Sequence, residues 1–254
     1  MKLPTNPFLA AIRAGKPQIG LWAALAGAVP VEAIAHAGFD WILVDMEHSP
    51  NDVSTVLAQL QVLAGSSSTA IVRPHGFDVV LVKRLLDIGA EGLLFPMVQT
   101  HDMASEIVSA TRYPPRGIRG FGGTTRANRY GRIADYATRV EDETAVLVQA
   151  ETLSAMAQIT EIGGTDGVDG VFFGPADIAA DMGYLGQPLH PEVWAKIFET
   201  AQKLMDKGVP CGTLVSDVAF AKEIVAKGFL FVACGSDSGL LARGADALLA
   251  QMKA

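Results

Sequence analysis

Two hydrophobic rhythms alternate along the chain. Short runs of apolar and β-branched residues fall at 18–23 (QIGLWA), 41–45 (WILVD), 69–73 (TAIVR), 92–96 (GLLFP), 145–149 (AVLVQ), 169–173 (DGVFF), 211–215 (CGTLV) and 230–234 (LFVAC). Between them lie stretches with apolar positions every three to four residues, at 52–64, 78–88, 102–112, 153–162, 192–207 and 217–227. The first set predicts strands and the second predicts helices. Several helical stretches open on Asp or Ser in the cap position, and several close on Ile88-Gly89, Lys207-Gly208 or Lys227-Gly228. The strands are almost continuously apolar, which fits a parallel sheet covered on both faces. Eight such β-then-α units predict an α/β fold, a single closed (β/α)8 TIM barrel filling one domain over residues 1–254. An open doubly wound sheet is the alternative, but no G-x-G-x-x-G follows the first strand.

One interval breaks the rhythm. Residues 113–142 include YPPRGIRGFGGTTRANRYGR, too long for a simple connection. It is expected to be a functional or subunit-contacting loop above the barrel. Its arginines (Arg112, Arg116, Arg119, Arg126, Arg129 and Arg132) read first as surface and subunit contacts. The functional alternative gives Arg126 the far carboxylate of a diacid substrate.

Composition narrows the class. A formal charge of -7 argues against a nucleic-acid partner, because phosphate binding needs clustered positive charge. The two cysteines, Cys211 and Cys234, suggest neither a disulfide framework nor a zinc site. The N-terminal segment lacks the apolar core of a signal peptide, and no apolar run is long enough to span a membrane. A cytoplasmic protein with no membrane partner is expected.

In a barrel of this kind the chemistry sits at the C-terminal ends of the strands. There the second strand ends in Asp45, Glu47 and His48, the third in Arg73, and the fifth in Gln149 and Glu151. The sixth runs into Gly174-Pro175-Ala176-Asp177. Each residue has a plainer reading. His48 alone suits a structural role, Arg73 a buried ion pair with Asp87 or Glu91, and Asp177 a helix cap. Glu151 resists such a reading, because a carboxylate ending a buried strand needs a partner or a metal. Glu151 and Asp177 follow adjacent strands, which lie roughly 5 Å apart. Two carboxylates without Cys or His suit a hard cation such as Mg²⁺ or Mn²⁺. No predicted strand contains lysine, so Schiff-base catalysis is disfavoured against metal-assisted enolate chemistry.

FDWILVDMEHSPND, VKRLLDIGAEGLLFPMV, TRYPPRGIRG, VLVQAET and DGVFFGPADIAADMGYLGQPLHPEV closely resemble the HpcH/HpaI aldolases, metal-dependent class II pyruvate aldolases, over about residues 6–250. The resemblance implies a TIM barrel that reversibly cleaves a 4-hydroxy-2-oxo acid, of the 4-hydroxy-2-oxoheptanedioate or 2-dehydro-3-deoxyglucarate type, to pyruvate and an aldehyde. It implies aromatic or sugar-acid catabolism, and a homo-oligomer: a trimer-of-dimers hexamer whose last helix packs on a neighbouring barrel. It puts the metal, Mg²⁺, Mn²⁺ or Co²⁺, on Glu151 and Asp177. It makes His48 the base with Asp45 orienting it, and Arg73 the partner of the keto oxygen. Gln149 then lies beside the metal. Gly174, Ala176 and Asp177 hold the pyruvate carboxylate, Leu214 joins the substrate-binding set, and Asp87 is an acid near the site. One departure is Met46, where many relatives carry glycine; it either narrows the mouth or points into packing.

Two other readings remain. The segment ACGSDSG at strand eight suits a phosphate site, as in a phospho-sugar lyase or isomerase. The other is a non-catalytic barrel that binds a keto acid or a partner protein.

Overall fold

The computed structural model describes residues 1–254. Eight parallel strands close into a barrel in sequence order. They are β1 (Gln18–Ala23), β2 (Trp41–Asp45), β3 (Thr69–Arg73), β4 (Gly92–Phe95), β5 (Ala145–Ala150), β6 (Gly170–Phe173), β7 (Cys211–Leu214) and β8 (Phe231–Ser236). The helices before β5 are α1 (Pro7–Arg13), α2 (Ala28–Ala35), α3 (Val53–Leu63), α4 (Val79–Asp87), α5 (His101–Thr111) and α6 (Tyr136–Arg139), the last running into a 3-10 turn at Val140–Glu143. After β5 come α7 (Leu153–Ala157), α8 (Ile159–Gly163), α9 (Pro175–Asp181), α10 (Pro191–Met205), α11 (Val218–Ala226) and α12 (Asp237–Lys253). No helix is long and apolar enough to cross a membrane.

Strand parity sorts the side chains. Ile42, Val44, Val146 and Val148 face outward into the layer shared with the helices. Trp41, Leu43, Ala145, Leu147, Phe172 and Phe231 fill the interior. Gly20 and Gly212 admit two of the largest of these: a Cβ on either would come within 2.2 Å of the Trp41 or Phe231 ring. Because successive strand residues alternate, Asp45, Arg73 and Gln149 follow this inward set and stand above its last apolar layer. Below, α1 closes the barrel. Phe8, Leu9 and Ile12 are buried, and the Phe8 ring lies 5.8 Å from Trp41 and 5.9 Å from Phe231. Each such side chain contributes ~1.5–3 kcal/mol on burial. Asn6 caps α1 and also donates to the Glu91 and Glu143 carbonyls, which locks the plug to the rim. The interior is therefore open only at the C-terminal end.

The long interval is not above that opening. It runs from α5 to β5, so it is a helix-to-strand connection on the N-terminal rim. Arg126 binds there to the main chain, donating to the Ile88 carbonyl at 2.6 Å and the Leu60 carbonyl at 3.0 Å. Both lie in the last turns of α4 and α3, where a cation suits the helix dipole; the Leu60 carbonyl also accepts from the Ala64 N–H. Arg126 is thus a helix-end cap in this chain and not a ligand for substrate. Met46 is settled too: it is buried in the layer outside the barrel and does not narrow the mouth.

Candidate active site

The stretch after β2 is held by its own polar residues. The Asn51 side chain donates to the Asp45 carbonyl and accepts from Thr55 and the fully buried Gln59. Ser49 ties the same turn to the Ala24 carbonyl at the end of β1. Asp52 then caps α3 through a capping box. The residues between are fixed as a result, and Glu47 and His48 are among them.

Asp45 pairs in register with Arg73. Both Asp45 oxygens accept from the guanidinium, Oδ1 from Nε at 2.8 Å and Oδ2 from Nη2 at 2.7 Å. Burial pushes the Asp45 carboxyl up, but the Arg73 bonds and charge with the Glu47 N–H outweigh it and leave it below the usual range. Arg73 Nη1 also lies 2.8 Å from Glu47 Oε2. That contact is ionic and badly angled, for Glu47 Oε2 is buried with no hydrogen-bond donor. The Trp22 ring supports the guanidinium from below at 5.2 Å. The side-chain hydrogen bonds of Asp45 go to Arg73, and none goes to His48, whose charge it meets only at longer range. The carboxylate nearest the exposed His48 is Glu47, at 4.0 Å.

On the opposite side, β5 delivers Gln149 and Glu151 and β6 delivers the turn into α9. Glu151 is buried, whereas Asp177 is exposed in the first turn of α9. Asp177 is not the cap of α9, since Gly174 holds that position. Burial, with Asp177 as a neighbouring acid, pushes the Glu151 carboxyl up to about 7, although the Met97 N–H and Gln149 pull the other way. Two carboxyls this close at neutral pH share either a proton or a cation. A Cβ on Gly174 would meet Glu151 Oε2 at 2.8 Å and Gln149 Nε2 at 3.3 Å, so the glycine lets both side chains pack close to the β6 turn. Gln149 Oε1 is buried without a partner, an acceptor waiting for a donor. No third His, Cys, Asp or Glu completes a ligand cluster. A donor set of two carboxylates fits a hard cation that keeps water and substrate oxygens, and does not fit a closed structural zinc site.

Leu214 ends β7 and packs on the interior cluster, which makes it an apolar part of the wall. Asp87 stands elsewhere. It is the last residue of α4, on the N-terminal rim, and accepts from the fully buried Arg119 at 2.8 Å. The expectation that it lies near this chain's own site is therefore corrected. The phosphate reading also weakens. At the start of α12 the N–H of Gly239 donates to Ser236 and that of Ser238 to Asp237. The Asp237 carboxylate is buried there and also takes the Ala24 N–H, so an anion would find its donors used and a negative charge in place. Sequence reasoning missed Trp22, Ser49, Asn51, Gln59 and Met97. Only Asn51 carried a signal, as a turn residue following a strand-end acid.

Comparison with known proteins agrees with this geometry. The family profile described as HpcH/HpaI aldolase/citrate lyase matches residues 18–244. The 4-hydroxy-2-oxo-heptane-1,7-dioate aldolase of Escherichia coli is 51% identical over 250 residues, covering 98% of this chain and 95% of that protein. Among solved structures, an HpcH/HpaI aldolase/citrate lyase family protein from Burkholderia cenocepacia J2315 superposes with a TM-score of 0.95 at 36% identity, covering 98% of this chain and 100% of that one. An HpcH/HpaI aldolase from Desulfitobacterium hafniense DCB-2 follows at 0.85 and 30%, covering 96% of each chain. With the barrel, its strand-end carboxylates and these full-length matches in agreement, the chain belongs to the HpcH/HpaI aldolase/citrate lyase family.

Proposed function

We propose that this protein is a divalent-metal-dependent aldolase that reversibly cleaves a 4-hydroxy-2-oxo acid to pyruvate and an aldehyde. The observation that carries the reading is the Glu151–Asp177 carboxyl pair facing Arg73 in one mouth. The kinship with the 4-hydroxy-2-oxo-heptane-1,7-dioate aldolase of Escherichia coli favours 4-hydroxy-2-oxoheptanedioate as the first substrate to try. Glu151 and Asp177 would hold the cation, Mg²⁺ or Mn²⁺ before Co²⁺. When bound, it supplies Lewis-acid polarisation of the 2-oxo group and charge stabilisation for the enolate.

The chain's own groups do the rest. His48 takes the C4 hydroxyl proton, and Glu47 beside it steadies the resulting imidazolium. The C3–C4 bonding pair moves toward the keto oxygen, the aldehyde departs, and proton return at C3 gives pyruvate. Asp45 fixes the guanidinium fork, which leaves the outer N–H groups of Arg73 to face the enolate oxygen. The first-turn N–H groups of Ala176 and Asp177 receive the carboxylate of the oxo acid beside Gly174. Leu214 contacts the apolar side of the substrate. The exposed apolar side chains of α12, among them Leu241, Leu248 and Met252, pack against a second copy in a homo-oligomer, expected as a trimer-of-dimers hexamer.

The test is pyruvate release from a panel of 4-hydroxy-2-oxo acids, with metal stripped and then restored. Restored Mn²⁺ or Mg²⁺ should recover release in the native protein, whereas Glu151→Ala should lower it by ~10³-fold or more. Release that survives complete metal removal overturns the reading. Pyruvate binding without methyl-proton exchange would favour the non-catalytic barrel.

A further inference from the structure

We infer that the peptide N–H of Met97 is a positioning group for Glu151, and that the left-handed backbone at Met97 exists to aim it. This rests on the reading of Glu151 and Asp177 as the cation-holding pair.

Met97 follows β4 and has φ 54°, a region that side-chain-bearing residues enter at a cost. Side-chain packing does not account for it, because Met97 is 44% exposed. Strand pairing does not account for it either. Pairing resumes at the next residue, where the buried Val98 donates to the Gln149 carbonyl at 3.1 Å. The other positive-φ residues with side chains, Arg129 and Tyr130, lie in a turn that the Asn128 side chain closes by accepting from Thr125 and Gly131. Met97 has no such closure. What its conformation achieves is one bond: its N–H crosses to β5 and meets Glu151 Oε1 at 2.8 Å. On the far side, Oε2 lies over Gly174, in space a Cβ would fill. One oxygen is thereby occupied by the backbone, and the other lies on the side of Gly174, Gln149 and Asp177. A carboxylate held this way meets a cation already oriented.

The test separates the N–H from the side chain and from the fold. Replacing Met97 by its α-hydroxy acid deletes the N–H and keeps the thioether. Met97→Gly keeps the N–H and allows the same backbone. Mn²⁺ affinity is read by electron paramagnetic resonance on the substrate-free protein, with far-UV circular dichroism as the check on folding. The ester should bind Mn²⁺ about tenfold more weakly or worse, the loss expected for a hydrogen bond to a charged group. Met97→Gly should bind within about twofold of the native protein, because the donor remains. An ester that binds like the native protein, or a glycine variant as weak as the ester, overturns the inference. Hydrogen exchange in the metal-free protein adds an arm that does not depend on metal. The Met97 amide should exchange faster in Glu151→Ala, and an unchanged rate overturns the positioning role by itself. Native protein that binds no Mn²⁺ at all would instead overturn the functional reading.

Discussion

At the N-terminal rim, Arg119 meets Asp87, Arg139 meets Asp135 and Glu143, and Arg116 meets Glu141. The half-buried Arg126 there has main-chain carbonyls for partners. At the C-terminal rim, Arg73 alone faces Asp45 and Glu47, with Glu151 and Asp177 beyond it. Both rims carry buried arginines and acids, so residue type does not separate structure from chemistry. Balance does. The lower rim pairs its arginines with acids or helix-end carbonyls, although Nε and Nη1 of Arg119 and Oγ1 of Thr125 are buried there without hydrogen-bond partners. The upper rim keeps more carboxylates than cations, leaves Glu47 and Gln149 oxygens without donors, and spends a left-handed residue on one carboxylate. What distinguishes the upper rim is its excess of carboxylates, the arrangement a cation would neutralise.

The sharpest way to break the comparison is at Arg73. Arg73→Lys keeps the charge and removes the fork, so one ammonium must replace contacts to Asp45 and Glu47. Steady-state kinetics should show kcat lowered by ~10²–10³-fold, the scale for losing a preorganised donor at developing negative charge. An effect of only about threefold would mean that the upper-rim arginine is structural too.

Much of this was legible in the sequence, because strand parity and barrel topology constrain each other. Apolar runs located all eight strands to within two residues, and the rule that chemistry follows the strands drew attention to Glu151 and Asp177. What sequence could not supply was partnership. Asp45 precedes His48 by three residues, but the in-register neighbour of Asp45 is Arg73, on another strand. The long arginine segment stands out in the sequence by its length, which does not say on which rim it lies. Its place on the lower rim follows only from counting it as a helix-to-strand link. The Met97 contact depends on a backbone dihedral, and no side-chain pattern encodes that for a residue other than glycine.

The proton on Glu151 gives a second, smaller test. Its carboxyl titrates near 4.5 when unperturbed and is pushed up to about 7 here, by burial first and Asp177 after. Between those values the folded metal-free protein holds a proton that the unfolded chain has released. Stability of the metal-free protein therefore falls as pH rises through that window. A cation must displace the same proton, so apparent Mn²⁺ affinity should rise about tenfold per pH unit and level off near pH 7. Calorimetry in buffers of different ionisation enthalpy should register the released proton. An affinity flat across this range would mean that Glu151 is already ionised, and that the upper rim is less strained than its burial implies.

The smallest expected effect on catalysis comes from Arg126, and it bears directly on whether the two rims have separate roles. Its guanidinium donates to the Ile88 carbonyl, which has no other donor, and to the Leu60 carbonyl, which also accepts from Ala64. Losing a charged donor to buried acceptors costs ~1.5–3 kcal/mol, and the helix-end charge adds ~0.3–1 kcal/mol. Arg126→Met should thus lower Tm by ~4–16 °C in a chain of this length, read by differential scanning calorimetry. Below the transition, kcat/KM for 4-hydroxy-2-oxoheptanedioate should stay within about twofold of the native value, and so should its ratio to that for a substrate without the far carboxylate. A selective loss on the diacid would have another meaning. Within one chain Arg126 is on the wrong rim to touch substrate, so the lost contact would have to pass to the mouth of a neighbouring copy. The lower rim would then be scaffold for its own barrel and recognition surface for the next.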